Sequence, residues 1–390
     1  MTESKNANSA QSATTVLQPS RTYRVAEAII GEAEKRLVNE ALDTGWVSSA
    51  GPFVEKFEKS FAEHCGSSYA ASVSNGTTAL HLALAALGVG PGDEVIVPAI
   101  TFVATASAVA HCGAVPVIAD VDPDHWCLTP ETIENVLTPL TRIIIPVHLF
   151  GTPAPLKEIQ SAFPRIQILE DAAEAHGARL HGGTAGTIGI AGVFSFYGNK
   201  LLTTGEGGMI VTSDPELHDQ IKRLRNHGTS PTKRYWHDQI GFNYRMTNIQ
   251  AALGLAQMSR LDAVIEHRRN LASWYKQHLS DLDDIRFQDS VPDSEPVYWM
   301  IALCLDRWKT YEQRDEVMAE LALHGIETRP MFYPLNEMPA CANFPRSKSL
   351  DNAARIARSG IVLPSGPTLT EEDVAYICDR FKQALTTTGN

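Results

Sequence analysis

Three features are missing from this sequence of 390 residues: a long apolar run, paired cysteines and an excess of positive charge. The apolar stretch from Phe102 to Ala110 is interrupted by Thr and Ser and is shorter than the ~20 residues of a transmembrane helix. Residues 1–20 are rich in Ser, Thr, Asn and Gln and lack the apolar centre of a secretory signal. We therefore expect a cytoplasmic protein with a disordered tail over residues 1–20.

Cysteine and histidine are present but dispersed. The six cysteines form no C-x-x-C pair and have no regular spacing, which is typical of reduced thiols. The thirteen histidines belong to no H-E-x-x-H motif and to no Cys/His cluster. The sequence therefore predicts no metal site.

Positive charge is in deficit, with 33 Lys and Arg against 45 Asp and Glu, a formal net charge of -12. Such a field repels phosphate backbones and anionic lipid, so we expect neither a nucleic-acid nor a membrane partner. Apolar residues make up 44% and charged residues 20%, an ordinary globular balance. The length suggests two or three domain-sized units.

Short β-branched runs alternate with helix-like segments between about residues 68 and 212. Continuous apolar runs suit strands that are covered on both faces, as in a parallel sheet with helical crossovers. We predict an α/β fold whose large domain has three layers and a mostly parallel sheet. Its strands are predicted at 94–97, 117–120, 143–147, 166–169, 193–196 and 209–212.

The last third of the chain has a different pattern. A charged helical stretch near 258–282 is followed by a strand at 298–305 and helices at 311–324 and 371–385. We predict a large domain over 21–258 and a smaller C-terminal α+β domain over 259–390, with the long helix as the link.

Three segments of the predicted large domain carry residues suited to chemistry. The first, Ser74 to Leu80, places Gly76 and Thr77 where a turn enters a helix. Free backbone N–H groups and the positive end of the helix dipole make such a start an anion site. The alternative is an N-cap without a ligand, because Ser and Thr favour that position anyway.

The second segment follows the apolar run at 166–169 and contains Asp171 and Glu174. Carboxylates at the end of a parallel strand lie in the crevice where α/β folds bind ligands. The alternative is that one of them caps the next helix. Ala172 and Ala173 are small and leave room for a flat group.

The third segment contains Ser195 and Lys200 after a predicted strand, and three glycines lie between Gly205 and Gly208. A lysine in a stretch so poor in charge loses solvation of its ammonium form, which lowers its pKa and frees the amine for a Schiff base. The alternative is a solvated loop lysine. Together, the anion site, strand-end carboxylate and lysine are what pyridoxal 5′-phosphate needs for its phosphate, ring nitrogen and aldehyde.

With these motifs in place, the sequence resembles the DegT family of sugar aminotransferases, fold-type I enzymes that depend on pyridoxal phosphate. The likeness runs from about Arg24 to Phe381 and includes GWVSS from Gly45, PGDEVIVP from Pro91 and GFNYRMTN from Gly241. The resemblance implies that an amino group moves from L-glutamate to C4 of a nucleotide-linked 4-keto-6-deoxy sugar. The motifs favour a GDP-linked sugar, and dTDP- or UDP-linked sugars stay open.

The resemblance also implies roles for the reacting residues. Lys200 would hold the cofactor covalently and then shuttle a proton, while Asp171 would pair with the pyridine nitrogen. Glu174 matches a position near the phenolic oxygen that is usually Gln in the family. A carboxylate there repels the phenolate unless one of the two keeps a proton.

The remaining cofactor contacts follow from the same resemblance. Gly76, Thr77 and Ser195 would hold the phosphate, and Phe102 and Ala173 would cover the two faces of the ring. Without the resemblance, Phe102 would be taken for ordinary core.

Other positions imply a shared site and a substrate pocket. Asn243 matches a residue that reaches the phosphate from a partner subunit, which implies a homodimer. Residues near the sugar, in part across the dimer, would be Trp46, Ser48, Ser49 and Tyr235. Arg329 would bind the donor carboxylate or the nucleotide pyrophosphate through its guanidinium fork, with a structural ion pair as the alternative.

Two other activities on the same fold stay open. A pyridoxamine-dependent sugar dehydratase would share the cofactor, but such enzymes replace the lysine, so Lys200 argues against it. A cofactor-binding regulator without turnover is disfavoured because Lys200, Asp171 and Ser195 are all retained.

Overall fold

The computed structural model describes residues 21–387, which form layers of helices against three β-sheets. The predicted tail at 1–20 lies outside the described residues. The α-helices are α1 (Glu32–Asp43), α2 (Pro52–Cys65), α3 (Gly76–Ala86), α4 (Ala104–His111), α5 (Pro130–Glu134), α6 (Leu156–Ala162), α7 (Pro215–Arg225), α8 (Asn248–Met258), α9 (Leu261–His278), α10 (Tyr311–Leu323), α11 (Asp351–Ser359) and α12 (Glu371–Thr387).

The strands are short and the longest have five residues. They are β1 (Tyr69–Val73), β2 (Glu94–Pro98), β3 (Val115–Ala119), β4 (Thr141–Ile144), β5 (Gln167–Asp171), β6 (Arg179–Leu180), β7 (Gly183–Thr184), β8 (Ala191–Ser195), β9 (Gly208–Thr212), β10 (Ile285–Phe287), β11 (Ser294–Glu295), β12 (Ile301–Leu305), β13 (Arg329–Pro330) and β14 (Gly360–Leu363).

The largest sheet has seven strands in the order β1-β9-β8-β5-β4-β2-β3. Strand β9 pairs antiparallel with both neighbours, and the pairs from β8 to β3 are parallel. Strands β8 and β9 are buried along their whole length, as a sheet covered on both faces requires. The predicted α/β fold with a mostly parallel sheet is confirmed.

One strand of this sheet was missed, and one predicted strand end was wrong by three residues. Strand β1 was missed because its sequence, YAASV, carries little β-branched signal. The strand predicted at 143–147 ends at Ile144, since Pro146 has no N–H to donate and Val147 forms only an isolated bridge with Asp171.

Beyond α8 the chain builds a second, four-stranded antiparallel sheet in the order β10-β12-β14-β13. The long helix predicted near 258–282 is α9, which begins at Leu261 and ends at His278. The strand predicted to start at Tyr298 starts at Ile301, because Tyr298 adopts a positive φ of 47° that a regular strand excludes. The division into domains at residue 258 stays a prediction.

Hydrophobic side chains are buried in two clusters. One fills the space around the seven-stranded sheet, and the other packs α9, α10 and α12 against β12 and β14. None of the helices within residues 21–387 has the length and hydropathy that a membrane span requires. The carboxyl ends of β1, β2, β4, β5 and β8 all meet at one edge of the large sheet, and that edge carries the site described next.

Candidate active site

A cavity of about 630 Å³ opens at the carboxyl edge of the large sheet. Its walls come from the starts of α3 and α4, the ends of β5 and β8, and the strands β13 and β14 of the second sheet. The sequence-predicted residues that line it are Gly76, Thr77, Phe102, Asp171, Ala173, Glu174, Ser195, Lys200 and Arg329. Segments more than 250 residues apart in the sequence therefore converge on one cavity.

One end of the cavity is built to receive an anion. Helix α3 begins at Gly76, and the Asn75 side chain caps it by accepting the N–H of Thr78 at 2.8 Å. The N–H groups of Gly76 and Thr77 lie in the first turn, where no intrahelical acceptor exists. A Cβ on Gly76 would lie 2.8 Å from Cβ of Ser195, so glycine allows the helix start and the serine hydroxyl to meet. The capped helix start and Ser195 therefore lie together at the cavity wall, and their binding of an anion stays a prediction.

Asp171 ends β5 and is buried, with 5% of its surface exposed. Its Oδ2 accepts a hydrogen bond from the Thr105 hydroxyl at 2.8 Å, and its Oδ1 accepts the N–H of Ala173 at 3.2 Å. Burial raises the pKa of this carboxyl, and the bond from Thr105 opposes that shift. A cation placed over Asp171 would keep it ionised.

The strand-end carboxylates do not cap a helix, because a turn follows Asp171 and the next helix is α7. Glu170 is fully buried and accepts the N–H groups of Gly186, Ile188 and Gly189 at 2.5–2.6 Å. His148 lies 3.0 Å away from the same carboxylate. Glu170 therefore fixes the backbone beside the cavity, and Asp171 and Glu174 are left to face into it.

Lys200 is not a solvated loop lysine, since only 10% of its side chain is exposed. Its Nζ lies 3.4 Å from Oε1 of Glu174 and 3.5 Å from the centre of the Trp299 ring. Oε2 of Glu174 accepts the N–H of Phe150 at 2.8 Å. Burial lowers the pKa of Lys200 and raises that of Glu174, so both shifts favour the neutral acid and the neutral amine.

The ring-face residues differ in exposure. Phe102 is 58% exposed and faces Phe332 with 6.3 Å between ring centroids. Ala173, beside Asp171, lines the cavity as well. Residue type alone would place Phe102 in the core. Its ring is instead exposed and available to a ligand.

Arg329 lies at the cavity and also forms an ion pair, the two alternatives that the sequence left open. It lines the cavity from β13, and its Nη2 lies 3.6 Å from Oε1 of Glu327. Both side chains are about 40% exposed, so the ion pair is weak and a bound anion can compete for the guanidinium.

Five predicted residues do not line the cavity of the described chain. Trp46 and Ser48 offer their carbonyl groups to Asn248, at 2.7 and 2.6 Å, and lie in an exposed segment with Ser49. Asn243 is exposed and accepts two hydrogen bonds from Arg245, and Tyr235 is 82% exposed. Their contribution from a partner subunit or to the sugar stays a prediction.

Sequence reasoning missed two side chains that shape the site. Thr105 binds Asp171, and its hydroxyl also lies 3.0 Å from that of Thr101. Thr101 lies in the bend before α4 and Thr105 in its first turn, so no helical periodicity in the sequence marks this pair. Trp299 touches Lys200 and donates its indole N–H to the carbonyl of Asn199 at 2.7 Å, but it lies a hundred residues away with no motif around it.

The arrangement fits a flat, phosphorylated aldehyde. The buried amine of Lys200 lies beside the buried carboxyl of Glu174, and the carboxyl of Asp171 lines the same cavity. The start of α3, in close contact with Ser195, has N–H groups that suit a phosphate. Lys200, Asp171 and Glu174 supply a nucleophile, an anion for a ring nitrogen and a proton-holding group. The donor set therefore suits pyridoxal 5′-phosphate.

Comparison with known proteins decides the family. The model of the DegT/DnrJ/EryC1/StrS aminotransferase family matches residues 28–382. The chain belongs to this family. It is an aminotransferase, and its cofactor is pyridoxal 5′-phosphate.

Relatives of this aminotransferase cover nearly its whole length. GDP-perosamine synthase of Caulobacter vibrioides is 43% identical over 355 residues, 90% of this chain and 95% of the relative. The dTDP-3-amino-3,4,6-trideoxy-alpha-D-glucose transaminase of Streptomyces venezuelae is 38% identical over 338 residues, 85% and 87% of the two chains. The structure of the sugar aminotransferase Spr1654 from Streptococcus pneumoniae in its PLP form superposes with a TM-score of 0.88 at 28% identity. The superposition covers 94% of this chain and 100% of that one.

Proposed function

We propose that the enzyme transfers the amino group of L-glutamate to C4 of GDP-4-keto-6-deoxymannose and so forms GDP-perosamine. The buried amine of Lys200, within 3.4 Å of Glu174 in a cavity that Asp171 also lines, carries the reaction type. The 43% identity to a GDP-perosamine synthase supports the substrate. The amino sugar would then enter a cell-surface polysaccharide.

Pyridoxal phosphate, when bound, supplies an aldehyde for amine exchange and a ring that withdraws electrons from the reacting carbon. Lys200 would hold this group through its amine until the amino donor displaces it. The free Nζ would then move the Cα proton of glutamate to the cofactor in the first half-reaction, and a proton from the cofactor to C4 of the sugar in the second. Burial lowers the pKa of Lys200, which favours the basic form of the amine that this shuttle needs.

Asp171 and Glu174 set the charges around the reacting atoms. Asp171, oriented by Thr105 and by the N–H of Ala173, would stabilise a protonated ring nitrogen. Glu174 would hold a proton beside the phenolic oxygen, because burial raises its pKa and a doubly charged contact would repel. Phe102 and Ala173 would exclude water from the two ring faces.

The anion contacts are divided between two ends of the site. Gly76, Thr77 and Ser195 would bind the cofactor phosphate, and Arg329 would bind the donor carboxylate or the pyrophosphate.

We also propose that the enzyme works as a homodimer with shared active sites. Asn243 and Tyr235 lie on the exposed surface of the single chain, where a second copy would bring them to the neighbouring cavity. Trp46, Ser48 and Ser49 would reach the sugar in the same way.

The substrate is tested by a direct assay of the purified enzyme with L-glutamate and one of three 4-keto-6-deoxy sugars, linked to GDP, dTDP or UDP. We expect amination of the GDP sugar, read by mass spectrometry of the product. Amination of the dTDP or UDP sugar alone would overturn the GDP assignment, while leaving the aminotransferase intact. The Lys200→Ala variant is the control and should complete no catalytic cycle with any of the three.

A further inference from the structure

A second, much smaller cavity lies behind the loop that carries Lys200. Its volume is about 20 Å³, and since a water site needs roughly 10–15 Å³, it has room for one small species. The N-terminal segment 27–29 covers it on one side, and the loop 200–203 closes it on another. The carbonyl of Ile29 accepts hydrogen bonds from Gln257 and Arg260, which fixes the N-terminal segment in place. The cavity is therefore a built feature of the fold.

Helix α9 directs one of its arginines at this cavity. Arg260, Val264 and Arg268 all line it, and their spacing of four residues places them on one helix face. Arg268 is 2% exposed. Its Nε and Nη1 are buried without a hydrogen-bond partner among residues 21–387, and within that range no carboxylate lies at ion-pair distance from it. A full guanidinium charge is thus enclosed without a counter-charge from the described chain.

The neighbouring charges do not neutralise Arg268. Arg260 is engaged with Glu34 at 2.8 Å. Glu27 also borders the cavity, but it is partly exposed and contacts Arg24 at 3.8 Å and the Thr368 hydroxyl at 3.3 Å. Burial lowers the pKa of Arg268 to about 10, which still leaves it protonated at neutral pH. The local charge around the cavity is therefore positive.

We propose that Arg268 binds one small monovalent anion of the chloride class in this cavity. Burying an unpaired charge is costly, and a bound anion removes most of that cost. A water molecule fits the volume but leaves the charge in place, whereas phosphate, sulfate and glutamate are too large for about 20 Å³. The anion site joins the N-terminal segment to the loop of Lys200, so occupancy stabilises both.

The first test is crystallographic and uses the holoenzyme as purified. Crystals are soaked in sodium bromide, and anomalous scattering is measured at the bromine edge. We expect a bromide peak within contact of the guanidinium of Arg268. An ordered water there, or a carboxylate from Glu27 or from residues 1–20 paired with Arg268, would overturn the proposal.

The second test measures thermal unfolding in sodium chloride against sodium gluconate at equal ionic strength. For the wild-type holoenzyme we expect Tm to rise with chloride by roughly 1–3 °C and then to saturate. Arg268→Met, which keeps the aliphatic stem and removes the charge, should lose this dependence. Arg269→Met is the matched control, because Arg269 is partly exposed and paired with Glu295 at 3.3 Å, and it should keep the dependence. Equal chloride responses in wild type and Arg268→Met would overturn the site, and if Arg268→Met fails to fold the bromide experiment still decides.

Discussion

At the scale of single residues, the site depends on where one proton resides. Lys200 and Glu174 lie 3.4 Å apart with little solvent contact, and they can exist as an ion pair or as a neutral acid with a neutral amine. Burial favours the neutral pair, whereas their mutual attraction favours the charged one. An amide at position 174, as is usual in the family, has no such choice.

Replacing Glu174 with Gln tests this coupling. The negative charge of Glu174 raises the pKa of Lys200, so its removal should lower that pKa further. The rate at which pyridoxal phosphate attaches to the apoenzyme depends on the neutral amine, so its pH profile should shift to lower pH in Glu174→Gln. Stopped-flow absorbance across the pH range measures the shift, and a shift to higher pH would contradict the coupling.

Thr105 should act by holding Asp171. Replacing Thr105 with Val removes a hydrogen bond of 2.8 Å to a charged group, and we expect kcat to fall roughly tenfold or more. Thr105→Ser keeps the hydroxyl and should recover most of the loss. The pH titration of the bound cofactor should change in the Val variant only. Equal activity in Val and Ser variants would remove Thr105 from the site.

His176 should limit stability in acid. It is fully buried, and burial, followed by the charge of Lys200, lowers its pKa from 6.5 to about 3. The folded state therefore binds fewer protons than the unfolded state below pH 6.5, and stability falls as pH decreases from about 6.5 towards 3. His176→Phe should show a shallower loss, by up to about 1.4 kcal/mol per pH unit. Urea unfolding at pH 7.5, 5.5 and 4.5 measures it, and parallel slopes would disprove the assignment.

At the scale of secondary structure elements, the start of α3 and the end of β8 meet at the cavity wall, where we propose that the cofactor phosphate binds. Their close approach requires glycine at position 76, because a Cβ would lie 2.8 Å from Cβ of Ser195. A shift of either element would also move the N–H groups that face the cavity.

Gly76→Ala should therefore weaken cofactor binding. We expect a rise of at least tenfold in the Kd of pyridoxal phosphate, measured by absorbance titration of the apoenzyme. Gly90→Ala is the control, since a Cβ at Gly90 meets no atom within 4 Å. If both variants bind the cofactor as wild type does, the α3 start is not the phosphate site.

At the scale of the whole molecule, several aromatic and apolar side chains are exposed on the single chain. Tyr235, Trp236 and Ile240 are 82%, 51% and 94% exposed and lie in the segment just before Asn243. Such exposure is typical of a surface that a second copy covers, which agrees with the proposed homodimer.

A shared active site predicts complementation between two inactive variants. Lys200→Ala removes the amine, and Asn243→Asp places a negative charge against the phosphate. In a hybrid dimer one site carries both changes and the other carries neither, so refolding an equal mixture should restore about a quarter of wild-type activity. The two variants measured separately are the controls. A mixture as inactive as its components would show that each site is built from one chain.

Local sequence determined the reacting residues and the general fold. Lys200, Asp171 and Ser195 lie in motifs at or a few residues after strand ends. Short continuous apolar runs are typical of strands in a sheet that is covered on both faces. Those features depend on neighbouring residues and therefore appear in the sequence. Strand β1, with its Ala and Ser residues, lacked that signal.

Only the tertiary structure decided the surroundings of those residues. Thr105 meets Asp171, Trp299 covers Lys200 and Arg268 is enclosed beside the N-terminal segment, although each pair is far apart in sequence. The physical reason is that burial and pairing depend on what packs from other elements, and desolvation sets the pKa of Lys200 more than any neighbour along the chain does. The sequence specifies which ionisable side chains are present, and the packing around each side chain sets its pKa and thus its charge.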